Sequence, residues 1–332
     1  MEISRPFIRL PYAFDAERMA QEVATIDASA WMQHPSRLSG NSAVALISGN
    51  GGDNDDFDGR MLPTRHLDRC PYLHQVLASF NEVLGRSRLM KLAAGTEVAT
   101  HVDFNYHWYT RVRIHIPIAT HAAVTFFCGD RSLHMQRGSC WIFNSWHRHR
   151  VSNDSEEDRV HLVIDTAGSS RFWQTVRLME AMTARQNEEL AESELKFVAY
   201  DENASPRILT ERFNIAPVMA PGEMDALVLD LVNDFERNPD NDPDLVARYK
   251  SLLFDMRKNW RELWHLYGYR RDGWPHYRKL LDSVHRQLHP DRRALVTSSN
   301  NLGVNPVIVQ RILRSALAVD ELDHFIGSES AS

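Results

Sequence analysis

Cysteine is scarce. The chain of 332 residues has three, Cys70, Cys128 and Cys140, an odd number with no CxxC pair. That excludes a disulfide framework and a cysteine-based zinc knuckle, and makes a reducing cytoplasm the expected setting. Long apolar runs are missing too. No stretch approaches the roughly eighteen residues that a bilayer span needs. The opening "MEISRPFIRLPYAFDAERMA" carries charges throughout and lacks the apolar core of a secretory signal. There is no basic surplus, with 38 Lys and Arg against 44 Asp and Glu and a formal net charge of −6. Neither nucleic acid nor a membrane is therefore an expected partner.

What remains is ordinary globular composition, 43% apolar and 25% charged. At roughly 100–200 residues per domain, the length suits one large or two modest domains. Histidine stands out: there are sixteen, concentrated between His101 and His161.

The hydrophobic period changes along the chain. "DAERMAQEVATI" and "PYLHQVLASFNEVL" have helical spacing, while "SAVALIS" reads as a strand. "GNGGDNDDFDG", residues 49–59, cannot bury apolar surface and reads as an exposed, mobile loop. From residue 86 short runs rich in alternating or β-branched residues follow one another: "SRLMKLA", "TEVATHVDF", "TRVRIHIPI", "AVTFFC", "SLHMQ", "SCWIFN", "HRVSN" and "RVHLVIDT". Turn signals such as "AAGT", "CGDR" and "QRGS" separate several of them. The pattern predicts an antiparallel sandwich or jelly roll. After Gly168 strand signals fade and long amphipathic helices are expected. The fold class is thus α+β: a jelly-roll core with N-terminal helices, over residues 1–168, then a helical region, 169–332. The aromatic residues Trp260, Trp264, Tyr267, Trp274 and Tyr277 in that region read first as helix packing, and secondarily as a wall over a substrate.

The most specific stretch is "ATHVDFN". Residues two apart on a strand share a face, so His101 and Asp103 are aimed at one point. "WHRHRV" supplies His147 and His149 at the start of a later strand. Two histidines and one carboxylate from a β-sandwich can cap one face of an octahedral metal, which is the arrangement of non-haem Fe(II) oxygenases. It leaves room for a bidentate 2-oxo acid and for O2. Ten residues after His149 comes Arg159, whose planar fork suits the far carboxylate of such a cosubstrate. Spacing alone leaves His147 and His149 about equally placed as the third ligand.

Taken together, "RLMKLAAGTEVATHVDF", "TRVRIHIPI", "FFCGDRSLHMQRGSCWIFN", "HRHRVSN" and "DRVHLVID" resemble the aspartyl/asparaginyl β-hydroxylase family of Fe(II)/2-oxoglutarate dioxygenases. Within it they are most similar to the bacterial branch that carries HxD and includes proline hydroxylases. The resemblance spans about residues 86–166. It implies a double-stranded β-helix, Fe(II), 2-oxoglutarate and O2 as cofactors, and hydroxylation of an amino acid, free or within a peptide. It implies His101 and Asp103 as the first ligand pair, and His149 as the distal ligand because the family's arginine falls ten residues later, at Arg159. His147 is then a turn or supporting residue. Arg113 and His115 match positions that line the cosubstrate pocket. Animal members lack the carboxylate ligand, so Asp103 places this site nearer the proline-hydroxylase type and argues against halogenase chemistry. Asn105, His107 and Arg111, just beyond the HxD strand, are candidate substrate contacts. Two other readings compete: a cupin-like metal enzyme that does not use 2-oxoglutarate, and a non-catalytic binding protein with a vestigial barrel.

Overall fold

The computed structural model of the chain describes residues 3–33, 40–186 and 190–318. In chain order the strands are β1 (Phe7–Phe14), β2 (Met32–Gln33), β3 (Asn41–Gly49), β4 (Met61–Pro63), β5 (Val83–Leu92), β6 (Glu97–His101), β7 (Val112–Ala119), β8 (Val124–Cys128), β9 (Arg131–Leu133), β10 (Ser139–Phe143), β11 (His149–Asn153), β12 (Arg159–Thr166), β13 (Lys196–Val198) and β14 (Leu209–Thr210). The helices are α1 (Ala16–Ala24), α2 (Pro71–Ser79), α3 (Tyr106–Thr110), α4 (Ser170–Gln186), α5 (Pro221–Glu236), α6 (Pro243–Tyr267), α7 (Trp274–Gln287), α8 (Val304–Val307) and α9 (Arg314–Ala316), with a π-helical turn at Ile308–Leu313 between the last two. They group into two compact units, one drawn from Met1–Val102 and Thr110–Arg212, the other from Asp103–Tyr109 and Phe213–Ser332.

The first unit is a β-sandwich. Its large sheet runs β13-β1-β10-β7-β12-β5-β3-β2, with β14 added to β5 and β4 to β3; the small sheet runs β6-β11-β8-β9. From β5 to β12 the chain passes repeatedly between the two sheets, with antiparallel pairing, which is the double-stranded β-helix. Each strand expected over 86–166 forms.

Alternation in the large sheet explains how it is covered on both faces. In β12, Val160, Leu162 and Ile164 join Ile114, Ile116 and Ile118 of β7 in the core beneath the helices. Met19 of α1, Tyr72, Leu73 and Val76 of α2, and Phe172 and Val176 of α4 complete that layer. Glu22 of α1 accepts the Tyr72 and Leu73 backbone N–H groups at 2.7 and 2.9 Å, satisfying donors that the first turn of α2 leaves open. The opposite face of the large sheet meets the small sheet through Phe7, Leu92, Trp141 and Phe143 against Val124, Phe126 and Val151. By period two, Arg159, His161, Val163 and Asp165 face this interior.

Three local expectations change. The helix read over 71–84 stops at Ser79, because Asn81 takes a positive φ of 52° and the chain enters β5 at Val83. Residues 196–210 supply two short parallel strands, β13 and β14, after the point where strand signals fade. The loop 49–59 is not simply exposed: most of it is half-buried, because Asp55 ion-pairs with the buried Arg86 and Arg88.

The second unit is helical. Trp260 of α6 is fully buried, donates its indole N–H to the Met219 carbonyl at 2.9 Å, and packs on Tyr277 with ring centroids 4.5 Å apart. Tyr249 and Asn305 share a buried hydrogen bond of 2.8 Å. The segment Asp103–Tyr109 belongs to this unit. Arg311, 2% exposed on the π-helical turn, donates to the Phe104 carbonyl at 3.1 Å and lies 4.8 Å from the Tyr109 ring centre. Tyr106 hydrogen-bonds Glu223. Packing thus accounts for Trp260 and Tyr277. Among the described residues no helix is long and apolar enough to cross a membrane.

Candidate metal centre

His101 ends β6, Asp103 follows two residues later, and His149 opens β11. The two strands are antiparallel neighbours with His101 directly opposite His149, and the ring centroids lie 4.1 Å apart. One donor atom from each of His101, Asp103 and His149 comes within 4.8 Å of the others. Among the described residues no other such group of His, Cys, Asp or Glu forms.

The donor set fits a divalent metal. His101 Nδ1 is 2.8 Å from the Ala99 carbonyl, and His149 Nδ1 is 2.9 Å from the His147 carbonyl. Each contact fixes the Nδ1–H tautomer, so each Nε2 keeps its lone pair for a metal. His147 is outside the group; its part is the carbonyl that orients His149. Two imidazoles and a carboxylate suit Fe(II) while leaving coordination positions open.

A row of rings leads from this centre into the sandwich. His149 meets Phe143 at 4.8 Å, Phe143 meets His115 at 5.3 Å, and His115 meets His161 at 5.8 Å, centroid to centroid. Arg159 closes the row, donating from Nη2 to His161 Nδ1 at 2.7 Å. Arg159 is 5% exposed and no carboxylate pairs with it among the described residues. Its Nε, both ring nitrogens of His115 and Nε2 of His161 are buried without a hydrogen-bond partner. Burial pushes Arg159 down to about 9. Burial, then the Arg159 charge, hold His115 and His161 well below the ordinary histidine value. The result is a buried cation flanked by neutral imidazoles, with donors left over. Such a cluster is stabilised by an anion brought within reach of its donors.

The other sequence-selected residues are engaged elsewhere. Arg113 lies along β7 from His115, with Nε 3.7 Å from Asp165. Arg111 makes a two-pronged pair with Glu211 at 2.8 and 2.9 Å. Asn105 accepts the Trp108 N–H at 3.1 Å, and the buried His107 sits edge-on to Trp108. Sequence reasoning passed over His161, Arg86, Arg88 and Asp165. The signal for His161 was its spacing of two from Arg159; for Arg86 and Arg88 it was two arginines at strand alternation in an otherwise apolar strand.

Residues 53–168 match the family model of aspartyl/asparaginyl beta-hydroxylase. No curated protein matches the chain. Among solved structures, a 2OG-Fe(II) oxygenase family oxidoreductase from Burkholderia pseudomallei is similar at 15% identity and TM-score 0.34, over 49% of this chain and 85% of that one. A prolyl hydroxylase from Trichoplax adhaerens, in complex with a peptide fragment of hypoxia inducible factor, is similar at 12% identity and TM-score 0.36, over 53% and 87%. A cupin domain from Bordetella pertussis is similar at 17% identity and TM-score 0.20, over 24% and 79%. The double-stranded β-helix and its His-Asp-His group agree with the family match over residues 53–168, which spans about a third of the chain. The family match implies Fe(II), 2-oxoglutarate and O2 as cofactors, and the His-Asp-His group supplies donors for the metal.

Proposed function

We propose that the protein hydroxylates an amino acid, either free and proline-like or as an Asp, Asn or Pro residue of a peptide, with His101, Asp103 and His149 as the iron ligands. The observation that carries the 2-oxoglutarate part is Arg159: a buried guanidinium, unpaired with any carboxylate among the described residues, one ring-row away from the ligand His149. When bound, Fe(II) supplies, with the 2-oxo acid and O2, the oxidising power that no side chain has.

The chain's own residues do the rest. His101, Asp103 and His149 hold the metal on one face. Arg159 takes the distal carboxylate of 2-oxoglutarate through its planar fork. His161, with Nδ1 accepting from Arg159, carries its proton on Nε2 and offers that N–H to the same carboxylate. His115, kept neutral, adds a further polar edge without competing charge. Phe126 and Phe143 pack against each other and against His115 and His149, and keep that stretch of the interior apolar. The cupin-like and vestigial readings leave a buried Arg159 with no task.

The test is kinetic. A charge-assisted contact of this kind contributes about 1.5–3 kcal/mol, so Arg159→Ala is expected to raise the KM for 2-oxoglutarate by about 10–100-fold while kcat at saturation falls less. Arg159→Lys should recover part of the loss. An unchanged KM in Arg159→Ala would show that the cosubstrate is anchored elsewhere.

A further inference from the structure

A cavity of about 460 Å³ opens at the end of the large sheet where β5 begins. None of its lining residues belongs to the metal group or to the row of rings. Arg60, Arg207 and Arg212 line it, with Leu62, Val83 and Leu209 among its apolar residues. The volume falls within the roughly 300–1,000 Å³ of small-ligand pockets.

The strands explain why these side chains meet. β14 runs parallel to β5 with Leu209 in register with Val83. The chain then continues between β5 and β4. The Glu211 N–H donates to the Leu84 carbonyl at 3.0 Å, and the Met61 N–H donates to the Glu211 carbonyl at 2.8 Å. Arg60 precedes Met61 and Arg212 follows Glu211, so both side chains start from backbone held by these bonds. The Arg60 carbonyl also accepts the Asn50 N–H at 2.8 Å. Arg207 stands on the approach to β14. A backbone fixed in this way sets the arginines in place before any ligand arrives.

Their charge is uncompensated. Among the described residues none of the three makes an ion pair or a side-chain hydrogen bond. Glu211, the acid next to Arg212, is committed to Arg111 at 2.8 and 2.9 Å. The chain as a whole is acidic, with a net charge of −6, so three open cations in one cavity run against its background. Like charges gathered in a concave site raise the potential there and draw in an anion. The floor is apolar and wet: Val83 is 50% exposed and Leu209 40%, side by side in register. Covering them is favourable.

The number of arginines narrows the ligand. A carboxylate presents two oxygens, and one guanidinium fork satisfies them. Three forks suit an anion with three terminal oxygens and a charge of about −1.5 to −2, which is a phosphate monoester. We propose that this cavity binds a small phosphate monoester, with the phosphoryl group on Arg60, Arg207 and Arg212 and an apolar body against Val83 and Leu209. The site is separate from the proposed chemistry at the metal group and does not depend on it.

The test is calorimetric titration of the full chain, with Fe(II) and 2-oxoglutarate under argon, using phenyl phosphate, phenyl sulfate and inorganic phosphate. Phenyl phosphate should bind at least tenfold more tightly than either of the others, because the sulfate ester has a single charge and inorganic phosphate has no apolar body. Arg60→Gln, Arg207→Gln and Arg212→Gln should each weaken it by about tenfold or more. Arg207 and Arg212 are exposed, so their variants should keep the wild-type Tm. Arg237→Gln, at the exposed end of α5, should leave binding unchanged. Absence of saturable binding at millimolar phenyl phosphate, equal affinity for the phosphate and sulfate esters, or undiminished binding in the Arg207→Gln, Arg212→Gln double variant would overturn the proposal. A phosphoserine peptide that binds more tightly than phenyl phosphate would also overturn it, by assigning the cavity to a phosphorylated protein.

Discussion

At the scale of single residues, the two buried histidines beside Arg159 give the molecule a pH signature. His161 is pushed well below its ordinary 6.5, first by burial and then by Arg159, His115 and His134. The folded chain therefore keeps it neutral while the unfolded chain takes up a proton as pH falls through about 6.5. Protons bind the unfolded state more, so stability is present above that value and is lost below it, at about 1.4 kcal/mol per pH unit for each such group. In His161→Gln that share disappears. The unfolding free energy of the variant, measured in urea at pH 6 and pH 5, should fall less steeply than that of the wild type by about this amount. Parallel slopes would mean that His161 takes up its proton in the fold. The histidine itself was readable in "RVHLVIDT" as a strand residue, but its neutrality was not, because burial depends on the sheet that packs over it.

At the scale of elements, the strands were the legible part. β5 to β12 follow from period-two alternation and from turn residues that cannot sit in a strand. Alternation suggested His101 and Asp103 as a pair, although β6 ends at His101 and Asp103 lies just beyond it, and the register of His101 opposite His149 is what spacing could not show. Three features were not legible. β13 and β14 have only three and two residues, too short for any pattern to register. The loop 49–59 has a composition that reads as solvated, yet Asp55 is drawn in by Arg86 and Arg88, residues distant in sequence. The segment Asp103–Tyr109 looks like the tail of a strand, yet it groups with residues 213–332 because Arg311 and Glu223 hold it. That grip has a measurable consequence. Arg311→Ala leaves the Phe104 carbonyl without its donor, and a buried hydrogen bond of this kind contributes on the order of 1–3 kcal/mol. Amide exchange across residues 104–109 should accelerate by about tenfold or more, with the core strands of the sandwich unchanged. Unaltered exchange in that segment would show that Tyr106 and Glu223 suffice to hold it.

At the scale of the whole molecule, the composition bounded the class and the histidine-rich stretch held the candidate metal group, while the acid and base counts carried no information about substrate. Charge became informative only once the fold sorted it. Arg159 stands in the interior without a carboxylate among the described residues, while Arg86 and Arg88 stand there with one lent by a loop. The first is expected to take the cosubstrate. The most direct measurement is an anaerobic titration of the metal-free protein with Fe(II) and then with 2-oxoglutarate, followed by visible absorption. A weak metal-to-ligand charge-transfer band should grow on addition of 2-oxoglutarate, be lost in His149→Ala, and require about 10–100-fold more 2-oxoglutarate in Arg159→Ala. Fe(II) binding with no band at any 2-oxoglutarate concentration, or no binding of Fe(II) at all, would contradict the assignment of His101, Asp103, His149 and Arg159 to this chemistry.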